Sequence, residues 1–260
     1  MKMEKEPDDR TGVGLDHWGV KFPETQWSAL VPREACGKPS SSTSDAGFSQ
    51  LCSRYWYPLY AFLRKRGHSS EDAQDLTQGF FAHLMRGERF GKLDPTRGRF
   101  RAYLLSSLKH YVADEKKKQN AAKRGGGSHQ ISIEQEMAED RFHNEPYHEL
   151  TPDKLFDRQW AMTILTETEN QLAREFANLG NEDTFSEIHK YLLTKPDQGD
   201  YEQIALRLGI LESSVRTSVS RMRKRHISIL REQVRATVTS AGEIDDEIRY
   251  LLAALGRNPA

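Results

Sequence analysis

Cysteine is nearly absent: Cys36 and Cys52 are the only two in 260 residues. Two thiols cannot build a disulfide framework, and without a CxxC pair they offer neither a zinc knuckle nor a redox motif. No apolar run reaches the roughly 18 residues that a membrane-crossing helix needs. The charged start, Met1 to Arg10, does not read as a secretory signal. The expectation is a cytoplasmic chain with no membrane insertion. Period-two alternation is missing, so no segment argues for a strand, and no internal repeat is evident. Enzymatic chemistry lacks its parts as well. No ordered set of nucleophile, base and orienting group stands out. The nine histidines lack metal-ligand spacing, and His110 and His189 read as surface or packed residues. Gly125, Gly126 and Gly127 follow no strand and precede no Lys-Ser/Thr pair, so they read as a hinge and not as a phosphate loop. We expect no catalytic residues, no metal and no cofactor.

Net charge is missing too. Lys and Arg number 38 and Asp and Glu number 38, which argues against a uniformly basic nucleic-acid binder. The charge is sorted along the chain, however. Arg97 to Arg124 holds nine bases against two acids, and Ser213 to Arg231 holds six bases and no acid. Between them, Glu134 to Asp157 holds eight acids and two bases. Basic blocks confined to particular elements are what phosphate binding requires.

The periodicity is helical throughout and predicts an all-α chain: two small helical domains joined by a polar linker. Residues 1–46 read as irregular, with Cys36 to Asp45 as a tether rich in Ser, Gly and Pro. Residues 47–124 form the first domain. Phe48, Leu51, Cys52, Tyr55, Leu59, Phe62 and Leu63 share helical spacing, with Pro58 expected to kink the helix and Gly67 to end it. A second helix opens at Ser69, with Ala73, Leu76, Phe80 and Leu84 as its stripe and Phe81 and Met85 widening it. A third runs from Phe100 through Leu104, Leu108, Tyr111 and Val112 to Lys116. Residues 125–154 read as an acidic flexible linker, with a short helix expected near Ile133 to Ala138. Residues 155–239 form the second domain, beginning with Phe156, Trp160, Ile164 and Leu172. Residues 240–260 are expected to form a C-terminal amphipathic helix. Ser240 and Glu243 have capping-box spacing, and Ile244, Ile248, Leu251, Leu252 and Leu255 form one stripe ended by Gly256. Such a helix is marginal alone and needs a surface to dock on.

The segment Tyr201 to Val215 has the spacing of a helix-turn-helix. Ile204, Ala205 and Leu208 face inward, and the small Ala205 lets a second helix approach. Gly209 takes the turn, where positive φ is cheap only for glycine, and Ile210 is expected to plug the corner. Val215, Val219 and Met222 bury the next helix. Its other face carries Ser213, Ser214, Arg216, Thr217, Ser220, Arg221 and Lys224, residues able to reach base edges and phosphates. An ordinary helical hairpin with a solvated face is the competing interpretation.

Two further segments are informative: Asp72-Ala-Gln-Asp75-Leu-Thr-Gln78-Gly-Phe80-Phe, and Gly98-Arg-Phe100-Arg-Ala-Tyr103-Leu-Leu followed by Lys116-Lys-Lys. Together with Tyr201 to Leu230, they resemble the bacterial sigma-70 family of transcription initiation factors, most closely its extracytoplasmic-function (ECF) type. The likeness covers roughly residues 48–124 and 155–231. The resemblance implies a non-enzymatic factor that binds core RNA polymerase and directs promoter recognition, DNA melting and initiation. It implies polymerase binding by Asp72, Asp75 and Gln78. It places the opened single strand of the downstream (minus-ten) element on Arg99, Arg101, Lys109, Lys116, Lys117, Lys118, Lys123 and Arg124. It gives double-stranded promoter DNA at the upstream (minus-thirty-five) element to the recognition helix. An anti-sigma or other regulatory protein is a further partner that such a factor would accommodate. The chain departs from the shortest members in its longer linker and its C-terminal extension. The rival reading is a helix-turn-helix regulator that never touches the polymerase; it leaves the Asp75/Gln78 helix and the basic third helix unexplained. The acidic linker is expected to cover one of the basic blocks in the free protein.

Overall fold

Helical periodicity becomes helix wherever the computed structural model describes the chain: residues 41–85, 99–122, 133–144, 149–238 and 240–256, without the side chains of 41–47, 119–122, 133–136 and 198. In order come α1 (Ser41–Lys65), α2 (Ser70–Met85), α3 (Phe100–Ala122), α4 (Ile133–His143), α5 (Pro152–Asn178), α6 (Glu182–Ile188), α7 (Gln198–Leu208), α8 (Glu212–Arg235) and α9 (Ile244–Ala254). Among the described residues there is no strand. The expected hinge at 125–127 and most of the irregular N-terminal segment lie outside the described residues.

Helix α1 starts at Ser41, inside the expected tether, because Ser, Thr and Ala permit a helix without announcing an apolar stripe. It also runs through Pro58. The lost ladder hydrogen bond is offset by burial on either side, where Tyr55, Leu59, Tyr60, Phe62 and Leu63 are all essentially inaccessible. Gly67, at φ +89°, ends this segment as expected. The second helix is capped by Ser69, whose Oγ accepts the Asp72 amide at 3.0 Å. Ala73, Phe80, Phe81 and Leu84 turn inward, but Met85 at the helix end is 70% exposed and does not join the stripe.

Helix α5 is 27 residues long and begins at Pro152 behind a Thr151 cap. Its first half sits in the core of α1–α3. Trp160 is fully buried there, 6.1 Å from the Tyr55 ring, and Tyr55 in turn lies 5.5 Å from Phe100. Its second half contributes Leu172 to a smaller core with Ile188, Tyr191, Ile204, Val215, Val219, Met222 and Ile229. One helix therefore contributes side chains to the cores of both expected domains. The expected linker also contributes α4, which docks: Ala138 is buried, Glu139 accepts hydrogen bonds from Arg64 and Tyr60, and Arg141 lies over the Tyr57 ring at 3.7 Å. Within the expected linker, Glu139 of α4 meets Arg64 of α1.

The C-terminal extension also docks. A short 3-10 turn over Ala241–Glu243 precedes α9, and Ser240 makes no side-chain cap, so the expected capping box does not form. The apolar stripe does work as expected. Ile244 and Leu251 are buried against the first core, with Ile248 and Leu255 beside them.

Because Trp160 is shared by α1, α3 and α5, Trp160→Ala is expected to cost about 3–5 kcal/mol. Chemical denaturation of the full chain checks this; a parental midpoint would show that α5 is not part of the first core.

Candidate nucleic-acid interface

The expected helix-turn-helix segment comprises α7 and α8, joined by a turn at Gly209. Gly209 takes the left-handed conformation, at φ +64°, that its sequence position demanded. Helix α7 starts three residues before Tyr201, where the Asp200 carboxylate accepts the Asp197 amide at 2.8 Å. Ile204 and Ala205 face inward, as do Val215, Val219 and Met222. Ile210 is 39% exposed and does not plug the corner. Ser213, Ser214, Arg216, Thr217, Ser220, Arg221 and Lys224 all lie on the exposed face of α8. Arg216 is held by Glu212 one turn earlier, at 3.0 Å, and lies over the Tyr201 ring at 4.1 Å.

The remaining bases of this helix are structural. Arg223 donates to the Tyr191 carbonyl at 2.9 Å and the Thr194 carbonyl at 2.6 Å, satisfying carbonyls after α6. Arg225 forks onto Glu175 of α5 at 2.7 Å. The acid-free run thus divides into an outer set available to a ligand and an inner set that fixes the helix.

On the first core, Asp72, Asp75 and Gln78 lie on the exposed face of α2. The same helix approaches α3 closely at Gly79, which follows Asp72 by seven residues and Asp75 by four. A Cβ built there would come within 2.4 Å of the Tyr111 hydroxyl. This approach forms a groove of about 500 Å³ lined by Phe80, His83, Tyr103, His110 and Tyr111, with Lys117 and Lys118 at its margin. Tyr103 is half-buried in this groove, whereas Phe100 is entirely in the core. Aromatic faces beside lysines suit an unstacked nucleic-acid strand. Lys116, Lys117 and Lys118 are exposed, the latter two beside Asp114 and Glu115. Lys123 and Arg124 lie outside the described residues.

The start of α3 is different. Arg101 is only 6% exposed, although it was singled out as a strand-binding candidate. It falls on the face of Leu104, Leu105 and Leu108, so its helical position turns it inward. There its Nε donates to Glu247 at 2.7 Å and its guanidinium pairs with Asp157. Arg99 reaches the same Glu247 carboxylate at 2.7 Å. Lys109 pairs with Asp153. Burial disfavours the Arg101 charge, but Glu247 and Asp157 outweigh it and hold its pKa above the ordinary arginine value. Burial, partly opposed by Arg101, lifts the Asp157 carboxyl above the usual carboxylate range.

Glu247 and Tyr250 are the participants that sequence reasoning missed. Glu247 is fully buried, and Tyr250 covers both arginines, 4.3 Å from Arg101 and 5.3 Å from Arg99. The signal was present: Glu247 lies three residues after Ile244 and four before Leu251, on the apolar side of α9. Removing one member of such a cluster costs about 3–5 kcal/mol, yet an ion pair intact in the interior contributes little net stability over apolar packing. The cluster therefore fixes which surfaces meet more than how tightly they hold.

Residues 51–122, which span most of α1 together with α2 and α3, match the family model for sigma-70 region 2. No curated protein and no solved structure matches the chain.

Gly79→Ala is expected to lose about 1–2 kcal/mol, the overpacking against Tyr111 exceeding the roughly 1 kcal/mol of helix propensity gained. In a Tyr111→Phe background the next ring atom is 3.5 Å away, an ordinary contact. There the substitution should become neutral or stabilising by up to about 1 kcal/mol. Equal costs in both backgrounds, measured by denaturation, would refute the close-approach account.

Proposed function

We propose that the chain is a sigma-70 family transcription initiation factor of ECF type, a reading supported by the region 2 match over residues 51–122. The sigma-70 region 2 domain is a polymerase-binding and promoter-melting module. In the proposed assignment, the exposed α2 face with Asp72, Asp75 and Gln78 meets the core enzyme, its acids complementing basic residues there. The basic α3, with the aromatic groove beside it, takes the opened downstream strand: cations hold phosphates and ring faces receive bases. Arg99, Arg101, Lys109, Lys116, Lys117 and Lys118 are the described strand-binding candidates. The exposed face of α8 enters the major groove of the upstream element, where arginine can read guanine by two parallel hydrogen bonds. The factor does no chemistry of its own and works in the cytoplasm, where the polymerase is.

One observation carries this reading: a region 2 match is followed, in the same chain, by two helices joined at a glycine turn, and the exposed face of the second is basic and rich in hydroxyls. A plain helix-turn-helix regulator would have no use for the first part.

Core polymerase mixed with the wild-type chain should co-elute with it and give run-off transcripts from genomic DNA. Asp75→Arg with Gln78→Ala should weaken co-elution while helical content stays constant. Failure of the wild type to bind core enzyme, or indifference of binding to the double substitution, would count against the assignment.

Arg221→Ala should cost about 1–3 kcal/mol of upstream-element affinity if that arginine reads a base. Arg216→Ala should cost less, because binding must first take Arg216 from Glu212. Loss confined to one base position marks readout, uniform loss marks a phosphate contact, and no loss in either variant sinks the groove orientation.

A further inference from the structure

The first turn of the proposed strand-binding helix is already occupied by the chain's own C-terminus. The Glu247 carboxylate accepts a hydrogen bond from Arg101 Nε through Oε1, and its Oε2 forms an ion pair with Arg99, both at 2.7 Å. Asp157 of α5 takes the other side of Arg101, and the Tyr250 ring covers both guanidiniums. The Phe100 amide donates to the Thr237 carbonyl at 3.1 Å, in the segment between α8 and α9. Two arginines flanking one helix start, each held through a carboxylate oxygen, are in the bonding state that a phosphate oxygen would also supply.

We propose that α9 is an intramolecular latch that competes with nucleic-acid phosphates for Arg99 and Arg101, so that the strand-binding surface is complete only when α9 lifts. The inference rests on the reading of α3 as the strand-binding helix. The occupant is a named segment of this chain, and its fit is visible in the charge match: α9 brings one buried carboxylate, Glu247, to both arginines, beside Asp157 of α5. An apolar stripe alone would dock α9 equally well on any apolar face. The buried Glu247 makes docking specific to this helix start. The same choice makes the contact exchangeable, because the arginines leave one set of anionic oxygens for another and are not stranded without partners. Helix α9 spans only 11 residues, so once undocked it has little intrinsic stability to hold it as a helix.

The full chain tests this, with fluorescein-labelled oligo(dT) as the probe and no polymerase present. Glu247→Gln keeps the shape but points an amide donor at an arginine donor, which loosens the latch. Affinity at low salt should rise about tenfold. The log–log salt dependence should steepen by about 1.4, the value for two added single-strand phosphate contacts. Adding Arg99→Ala should cancel roughly half of that steepening. Hydrogen exchange should show α9 deprotected in the single variant. Should Glu247→Gln fail to fold, Tyr250→Ala decides the question. It removes a partly exposed ring without stranding a charge, and it should produce the same rise and the same steepening. A deprotected α9 with unchanged affinity and salt slope would overturn the proposal. So would a protected α9 in both variants. Co-elution with core enzyme is independent of these readouts. Unchanged oligo(dT) binding beside intact co-elution sinks the latch alone, while absent co-elution sinks the functional reading.

Discussion

Everything in this molecule hangs on α5 passing through two cores. Its 27 residues extend about 40 Å. Over that length it presents Phe156, Trp160 and Ile164 to one cluster and Leu172 to the other. Arg54 of α1 pairs with Glu167 near the middle of this helix and also reaches Gln233 of α8, so three helices are tied at the junction. Helix α8 repeats the arrangement in reverse: its start reads outward from the smaller core, while Leu230 and Val234 near its end join the larger one. The two surfaces assigned to nucleic acid are thus parts of one packed body in this conformation.

Much of the fold could be read in the sequence, because the apolar stripes of α2, α7 and α8 have clean helical spacing and the punctuation at Gly67 and Gly209 is real. What could not be read is which stripe packs on which. Helical periodicity gives the direction of a buried face but not the identity of its partner. The expected linker illustrates this. Its acids look solvated in one dimension, yet Glu139 belongs to Arg64, Asp153 to Lys109 and Asp157 to Arg101. The recognition face of α8 was legible residue by residue because its inner positions are apolar and leave only one outward side. Arg101 was misjudged for a complementary reason. Its charge suggested solvent, while its position, three residues before Leu104 and seven before Leu108, put it on the inner face.

The zero net charge of the chain then acquires a structural meaning. Acids from α4, α5 and α9 act as internal counter-ions that meet bases on α1, α3 and α8. Some of these pairs are exposed and screened, such as Arg231 with Asp245, and contribute on the order of 0–1 kcal/mol. The buried set around Arg101 is different in kind. Salt screens it less, because Arg101 and Glu247 are buried, and opening it is costly unless another anion receives Arg101.

That difference explains why a chain with so many bases can leave one part of its basic surface accessible and another covered. Lys116–Lys118 and the outer face of α8 remain exposed, and in the proposed assignment they would provide the nonspecific attraction that brings nucleic acid near. Arg99 and Arg101 sit behind Glu247 and Tyr250, and respond only to an anion placed well enough to replace two oriented carboxylate contacts. A free phosphate in water offers no such placement. A strand held by the lysines further along α3 does, because the second contact is then intramolecular and its effective concentration is high. Under the proposed latch, covering the arginines would filter ligands by geometry: the exposed lysines would bind first, and Arg99 and Arg101 would commit only to a strand already aligned along the helix.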